Sequence, residues 1–303
     1  MVTGGSGFIG SHIVDKLLEK NHDVVVLDVR EPHRKDVQFI NVDITSFNNG
    51  LVDAMKNVDY IYHLAAATNV DHVYKDPVQS TKQGATATVN ILEAARQQNV
   101  KRVIFASTTW VYNKSFDESV NENTCLYPSN PSHLYISTKI SSELFCRSYN
   151  LLYNLPYTIL RYGIPYGSRA RKGTVIPIFI NKALAGEPIT ITGDGSQYRQ
   201  FLYVEDLAEG NVAALNEIAK NKIYNLDGSR AISVKEIAET IKHIHNDVKI
   251  EYKPARPGDF KGKSVSSEKA RRELRWEPKV EFEEGMMEYI AWFKENFSES
   301  PVD

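Results

Sequence analysis

The chain has 303 residues, of which 42% are hydrophobic and 24% charged, and its formal net charge is −2. That length allows one large or two unequal domains with a sizeable core and no disulfides. The near-neutral charge excludes electrostatic attraction to nucleic acid or an anionic membrane, and no apolar run reaches the roughly 18 residues of a membrane helix. Cys125 and Cys146 match no metal motif. With no signal peptide visible, we expect a cytoplasmic protein.

Strand-like and helix-like segments alternate along the first half of the chain. We predict strands over 23–28, 37–41, 59–63, 102–107 and 158–161, and helices over 8–20, 78–98 and 134–154. Alternation of this kind is typical of βαβ units and a parallel sheet. The continuous apolar run 24–27 suits a sheet that is covered on both faces. The sequence therefore predicts an α/β, doubly wound domain.

After Arg161 the chain is densely punctuated by glycine and proline, which predicts irregular connections and a smaller domain. Helices are expected over 204–220, 232–245 and 282–297, and a strand over 223–226. We predict that 1–165 and 203–228 form a Rossmann domain. The segments 166–202 and 229–303 are expected to form a smaller α/β domain that binds the substrate.

The glycine-rich segment 3–10, Thr-Gly-Gly-Ser-Gly-Phe-Ile-Gly, follows a short strand and opens a helix. Its glycines fit both G-x-G-x-x-G and G-x-x-G-x-x-G. Glycine is needed because the backbone must turn tightly and approach a pyrophosphate, which the N–H groups of the helix N-terminus then bind. The predicted dinucleotide contacts in this turn are Gly4, Gly7, Phe8, Ile9 and Gly10.

An acidic residue, Asp28, ends the second predicted strand, 18 residues beyond Gly10. Its carboxylate can accept hydrogen bonds from the ribose hydroxyls of adenosine and would repel a 2′-phosphate, which favours NAD over NADP. Arg30 and Arg34 are the counter-argument, since a nearby arginine can hold that phosphate.

Tyr135 and Lys139 lie four residues apart on the predicted helix 134–154 and therefore share one face. A lysine cation and a positively charged nicotinamide would lower the pKa of the tyrosine, so that its phenolate could accept a hydroxyl proton. Hydroxyl side chains at 107–109 end the preceding strand, where ligands bind in such sheets. One of these hydroxyls can donate a hydrogen bond to the reacting oxygen.

With these motifs the chain resembles the extended short-chain dehydrogenase/reductases, in particular the NAD-dependent epimerase/dehydratase family and its UDP-glucose 4-epimerases (UDP-galactose 4-epimerases). The resemblance covers essentially the whole chain. It also rests on Val-Asp-Ile at 42–44, His-Leu-Ala-Ala at 63–66, the segments 107–112 and 204–208, and Arg-Pro-Gly-Asp at 256–259.

The resemblance implies further contacts with the cofactor NAD. Asp43 and Ile44 would border the adenine, and Leu64, Ala65 and Ala66 would line the cofactor channel. Metal is not part of the implied site.

On the substrate side, the resemblance makes Thr108 the catalytic hydroxyl beside Tyr135. It implies that Arg199 and Arg256 bind the phosphates of a nucleotide sugar and that Asp259 binds the ribose of its nucleotide. The chain departs from the family at Gly84 and Ile164, where the family often has asparagine. Both asparagine side-chain contacts are therefore lost here.

We expect NAD-dependent epimerisation at C4 of a nucleotide sugar through a 4-keto intermediate, with UDP-glucose and UDP-galactose as substrates in galactose metabolism. Dehydratases that resemble the chain carry Asp-Glu after the catalytic threonine, whereas Thr109 and Trp110 follow Thr108 here. The alternatives are a reductase or dehydrogenase of the same family and a non-catalytic NAD-binding sensor. A homodimer through the helices 78–98 and 134–154 is also implied by the resemblance.

Overall fold

A computed structural model describes residues 1–127, 133–245, 248–254 and 262–297. Its strands are β1 (Val2–Thr3), β2 (Val25–Asp28), β3 (Gln38–Asn41), β4 (Tyr60–His63), β5 (Arg102–Thr108), β6 (Ser119–Val120), β7 (Tyr157–Tyr162), β8 (Ile164–Tyr166), β9 (Ile189–Thr192), β10 (Tyr198–Tyr203), β11 (Lys222–Leu226), β12 (Ala231–Ser233), β13 (Ile250–Lys253) and β14 (Ser264–Val265). Its helices are α1 (Phe8–Glu19), α2 (Asn49–Ala54), α3 (Val70–Lys75), α4 (Pro77–Thr81), α5 (Ala87–Gln97), α6 (Leu134–Tyr153), α7 (Val175–Leu184), α8 (Val204–Ala213), α9 (Val234–Ile244), α10 (Glu268–Leu274) and α11 (Phe282–Phe297).

Seven parallel strands form one sheet in the order β11-β7-β5-β4-β1-β2-β3. Strand order reverses beside β1, because β2 pairs with one edge of β1 and β4 with the other. In sheets of this kind ligands bind at that reversal, beyond the carboxyl ends of the strands. The predicted α/β, doubly wound Rossmann fold is confirmed.

Each face of the large sheet is covered by helices. Along β5, Ile104 and Ala106 enter a core with α1 and α8, whereas Val103 and Phe105 enter a core with α5 and α6. This alternation follows from the period of two in a strand. Burying an aliphatic or phenylalanine side chain stabilises the fold by about 1.5–3 kcal/mol, so both faces contribute.

The predicted helix 78–98 is interrupted in the structure. A π-helical turn, Lys82–Thr86, separates α4 from α5. Within it Gly84 lies against Thr138 of α6, since a Cβ at Gly84 would come within 3.0 Å of the Thr138 Cβ. The Thr88 hydroxyl donates to the Gly84 carbonyl at 2.8 Å. The absence of a side chain at position 84 therefore lets α6 approach this turn closely.

A buried arginine links β5 to the end of α8. The guanidinium of Arg102 is 1% exposed. It donates to the carbonyls of Ala214, Leu215 and Asn216, at 3.3, 2.8 and 2.9 Å, and to the carboxylate of Glu217 at 2.8 Å. A cation at a helix C-terminus is stabilised by carbonyls that have no partner within the helix.

A third core lies between α7, α9, α11 and the small sheet β12-β10-β8. These elements come mostly from the predicted substrate domain, and that division of the chain stays a prediction. Two details blur its boundaries. Residue 165 falls inside β8. Ala270, Leu274 and Trp276, from the predicted second domain, pack in the core that α1 and α8 form on the large sheet.

Among the described ranges, no helix combines the length and the apolar character that crossing a membrane requires. Over the same residues, no three His, Cys, Asp or Glu side chains are grouped so that they could hold a metal ion. The thiols of Cys125 and Cys146 are free, the first exposed and the second buried.

Candidate active site

The glycine turn between β1 and α1 is closed too tightly for side chains. Gly4 has a φ of +72°, and a Cβ there would lie 2.8 Å from the Ala65 backbone nitrogen. A Cβ at Gly10 would lie 2.1 Å from the Gly4 carbonyl oxygen, to which the Gly7 N–H donates at 3.0 Å. The turn therefore abuts the end of β4, which brings Ala65, with Leu64 and Ala66 on either side of it, next to the predicted cofactor turn.

The N-terminus of α1 offers hydrogen-bond donors. Gly7 caps the helix without a side chain, and within the described residues no acceptor is seen for the N–H groups of Phe8, Ile9 and Gly10. Free N–H groups and the positive end of a helix dipole suit a phosphate group. The turn and the helix N-terminus together fit the pyrophosphate of a dinucleotide.

Asp28, at the end of β2, is held over this turn by backbone N–H groups. Its carboxylate accepts hydrogen bonds from Ser6 at 3.1 Å, Val29 at 2.8 Å and Arg30 at 3.1 Å. A carboxylate fixed by three donors keeps its orientation and can still accept bonds from a ribose. Its predicted role toward the adenosine ribose fits this position.

Arg34, one of the two residues that argued for NADP, is engaged elsewhere. Its guanidinium donates to Asp36 at 2.8 Å through Nε and to Asp15 at 3.2 Å. A guanidinium paired with two carboxylates is poorly placed to bind a 2′-phosphate as well. The structure therefore weakens the case for NADP.

The two residues implied to border the adenine follow β3. Asp43 accepts a bond from the Thr45 N–H at 2.9 Å, and the carbonyl of buried Ile44 accepts one from Asn90 of α5, also at 2.9 Å. These bonds fix the segment beside the carboxyl edge of the sheet. The contact with adenine stays a prediction.

The structure brings Tyr135, Lys139 and Thr108 together. Thr108 ends β5 and hydrogen-bonds the phenol of Tyr135, near the start of α6. One turn further along, the Lys139 ammonium donates to the Ala106 carbonyl at 2.6 Å and lies 5.9 Å from the centre of the Tyr135 ring. Strand register and helical spacing thus place three functional groups at one point of the carboxyl edge.

Burial is the largest influence on the pKa values of Tyr135 and Lys139, and the lowering expected from Lys139 together with a bound nicotinamide stays a prediction. Burial dominates and raises the pKa of Tyr135 to about 12, against the hydrogen bond from Thr108 and the charge of Arg171, which lower it. Burial likewise lowers the pKa of Lys139 to about 8, while the carboxylate of Glu143 raises it. Burial of the phenol therefore outweighs the hydrogen bond and the charge that lower its pKa.

A buried ion pair behind the site was not found from the sequence. Glu143, one turn beyond Lys139, accepts bonds from Arg161 of β7 at 2.7 and 2.9 Å and from the Ser107 hydroxyl at 2.5 Å. Arg161 also donates to the Tyr112 hydroxyl at 2.6 Å. The spacing of Glu143 after Lys139 was the available signal, since it places both side chains on one helical face.

The predicted substrate residues are only partly described. Arg199 is half-buried in β10 and donates to the Tyr198 carbonyl at 2.6 Å. Two residues further along the strand, Phe201 pairs with Ile164 of β8, so Arg199 and Ile164 belong to one small sheet. Arg256 and Asp259 lie outside the described residues.

Arg171 is a cation near the site that the sequence did not indicate. It follows β8 and donates to the side chain and carbonyl of Thr68, at 3.4 Å each, and its charge lowers the pKa of Tyr135. The guanidinium is exposed, so water screens its charge. No pattern around position 171 distinguishes it from an ordinary surface arginine.

The NAD dependent epimerase/dehydratase family matches residues 1–227. A putative UDP-glucose 4-epimerase of Methanocaldococcus jannaschii is 38% identical over 306 residues, covering 98% of each chain. A UDP-N-acetyl-alpha-D-glucosaminuronate decarboxylase of Bacillus cytotoxicus is 32% identical, covering 97% of each. The structure of UDP-glucose 4-epimerase from Thermotoga maritima with UDP-glucose has a TM-score of 0.90 at 31% identity, covering 97% of this chain and 98% of that one. The resemblance is confirmed: this chain belongs to the NAD-dependent epimerase/dehydratase family, and its cofactor is NAD.

Proposed function

We propose that the chain epimerises a nucleotide sugar at C4, with UDP-glucose and UDP-galactose as its substrates. One observation carries the proposal. Tyr135, Thr108 and Lys139 form a complete group for moving a hydroxyl proton, and neither residue after Thr108 carries a carboxylate. The names of the relatives from Methanocaldococcus jannaschii and Thermotoga maritima support the same reaction.

The glycine turn and Asp28 would hold NAD, which would supply reversible hydride transfer at C4 of the sugar. The chain's own part is to move the proton of the C4 hydroxyl. Tyr135 takes it as phenolate and gives it back, while the Thr108 hydroxyl donates a hydrogen bond to the Tyr135 oxygen and so stabilises the phenolate. Lys139, held against the Ala106 carbonyl, contributes the remaining positive charge.

Elimination of water from the oxidised sugar needs a further acid and base. Thr109 is a buried hydroxyl and Trp110 an indole that can only donate, so neither exchanges protons near neutral pH. The 4-keto sugar is then reduced again rather than dehydrated. The same gap argues against decarboxylation, although one relative is named for that reaction.

The test is to incubate the purified chain with UDP-glucose without added NAD and follow the products by NMR. UDP-galactose should appear. Tyr135→Phe should lower turnover by about two to four orders of magnitude, the usual contribution of a general acid–base group. A 6-methyl signal would indicate a dehydratase. A requirement for added NAD would indicate a dehydrogenase, and binding of NAD without turnover of any nucleotide sugar would indicate a sensor.

We also propose a homodimer in which α6 packs on the segment 78–98 of each subunit. Apolar side chains on these helices are exposed, and an interface between two subunits would remove them from water. They are Val78, Leu144, Leu151, Leu152 and Tyr153. Light scattering after gel filtration should give twice the mass of one chain, and Leu151→Lys should shift the measured mass toward that of a single chain. The cytoplasmic location stays a prediction.

A further inference from the structure

Two aromatic side chains flank Tyr135 and have no part in the chemistry described so far. The His133 ring lies 6.0 Å from the Tyr135 ring, with the planes only 26° apart. The Trp110 indole stands edge-on to both, 6.3 Å from Tyr135 and 5.5 Å from His133. Pairs of rings at these distances and angles attract each other, so the three rings hold one another in place.

Backbone structure fixes where these rings stand. Trp110 belongs to the short 3-10 turn Thr109–Tyr112 that follows β5. The backbone N–H of Trp110 donates to the Thr108 hydroxyl oxygen at 3.2 Å. His133 caps the N-terminus of α6, two residues before Tyr135. Both are half-buried. They therefore border the space around the phenol from the strand side and from the helix side.

The imidazole of His133 is a neutral group with an unused nitrogen. Burial lowers the pKa of His133, so the ring is uncharged near neutral pH. Its Nδ1 is buried and has no hydrogen-bond partner among the described residues. A buried polar atom without a partner is unfavourable, and a hydroxyl of a bound molecule would satisfy it.

We propose that Trp110 and His133 form a wall that binds the sugar ring beside its reacting carbon and selects a neutral hexose over a uronic acid. The inference rests on the proposed function, because C4 must lie at the Tyr135 hydroxyl. The carbons next to C4 then face the two rings, which bind C–H groups well. A carboxylate against an indole and an uncharged imidazole would lose its water without gaining a partner. The free Nδ1 takes one sugar hydroxyl.

Arg171 is the group that would reverse this selectivity. Its charge reaches Tyr135, and a guanidinium is a good partner for a carboxylate. It is exposed and bonded to Thr68, however, and a screened cation offsets the desolvation of a carboxylate only weakly. Wall and arginine thus predict opposite preferences, which kinetics can separate.

The experiment compares UDP-glucose with UDP-glucuronate in steady-state kinetics, and measures the Kd of UDP alone by calorimetry. Trp110→Ala removes the indole and Trp110→Phe keeps a ring. His133→Phe keeps the ring and removes the nitrogen. Trp292→Ala is the control, since Trp292 lies on α11 and stacks on Tyr289, 6.1 Å away, in the third core.

We expect the parent to prefer UDP-glucose in kcat/KM by at least about tenfold. Trp110→Ala should raise the KM for UDP-glucose about three- to tenfold and lower that preference, while the Kd of UDP stays unchanged. Trp110→Phe should recover most of the loss. His133→Phe should raise KM by a similar factor through the lost hydrogen bond.

A parent that prefers UDP-glucuronate overturns the inference and leaves C4 epimerisation standing, and so does a Trp110→Ala variant with an unaltered preference. If Trp110→Ala weakens the binding of UDP and of UDP-glucose by the same factor, the role of Trp110 is merely structural and the inference is also overturned. A parent that turns over neither sugar refutes the proposed function instead. Trp292→Ala should change none of these ratios.

Discussion

Replacing Glu143 by alanine should destabilise the fold strongly, because it leaves a buried cation without its anionic partner. Glu143 and Arg161 have side chains only 3% and 2% exposed, and two hydrogen bonds join them. Without the carboxylate, the guanidinium keeps one hydrogen bond among the residues that the structure describes, to the Tyr112 hydroxyl. Removing one partner of a buried pair costs about 3–5 kcal/mol, a large share of the roughly 5–15 kcal/mol that stabilises a typical domain.

A second arginine provides a matched control. Arg102 is as deeply buried, but Glu217→Ala leaves it bonded to three backbone carbonyls, and the carboxylate of Glu217 is 70% exposed. An exposed partner contributes about 0–1 kcal/mol. The two carboxylate deletions should therefore differ in their cost to stability by about 2–5 kcal/mol, because Arg161 loses most of its partners and Arg102 keeps three.

The assay is urea unfolding of the parent and both variants, followed by circular dichroism at one protein concentration, since an oligomer would make the midpoint concentration-dependent. Glu143→Ala should lower the midpoint markedly and Glu217→Ala only slightly. Loss of Glu143 should also lower the pKa of Lys139 further, because that carboxylate raises it. Equal shifts of the two midpoints would refute the reasoning.

Three further predictions follow from single contacts. Asp28→Ala should weaken NAD about ten- to a hundredfold by calorimetry, since bonds to a charged group are lost; equal affinity of the parent for NAD and NADP would contradict the role of Asp28. Arg199→Ala should weaken the binding of UDP and leave NAD binding intact. An unchanged affinity for UDP would show that Arg199 does not bind the phosphates. Burial lowers the pKa of His63 to about 3, against about 6.5 in the unfolded chain. Between these two pH values only the unfolded state takes the proton, so stability falls as the pH is lowered. Between pH 6 and 4, His63→Gln should reduce that loss of stability by about 1.4 kcal/mol per pH unit. If the variant loses stability with falling pH as steeply as the parent, other groups cause the loss.

The sequence predicted those features that depend on neighbours along the chain. Helix α11 begins and ends where its periodicity indicated, and Tyr135 and Lys139 share a face because four residues nearly complete a turn. The glycines of the first segment predicted a tight turn, which the positive φ of Gly4 and the bond from the Gly7 N–H to the Gly4 carbonyl show.

Features that depend on distant contacts were missed. The π-helical turn at Gly84 exists where Thr138 of another helix fits against it. The pairing of Glu143 with Arg161 joins a helix to a strand, and the spacing of Glu143 after Lys139 indicates a shared helical face but not the distant partner. Burial of the Tyr135 phenol, which raises its pKa, also depends on distant contacts and was not predicted from the spacing of Tyr135 and Lys139.

The bonds of Arg102 to the end of α8 bear on the order in which a growing chain can fold. They join residues 112 to 115 positions apart, so the guanidinium stays unsatisfied until about residue 217 has been synthesised. The Tyr62 hydroxyl similarly has its acceptor, the carbonyl of Asn211, 149 residues later in the chain. A nascent chain of 165 residues would hold six of the seven strands of the sheet in apolar contact while two buried polar groups lacked partners. Stable folding of the sheet on the ribosome should therefore begin only after α8 has emerged.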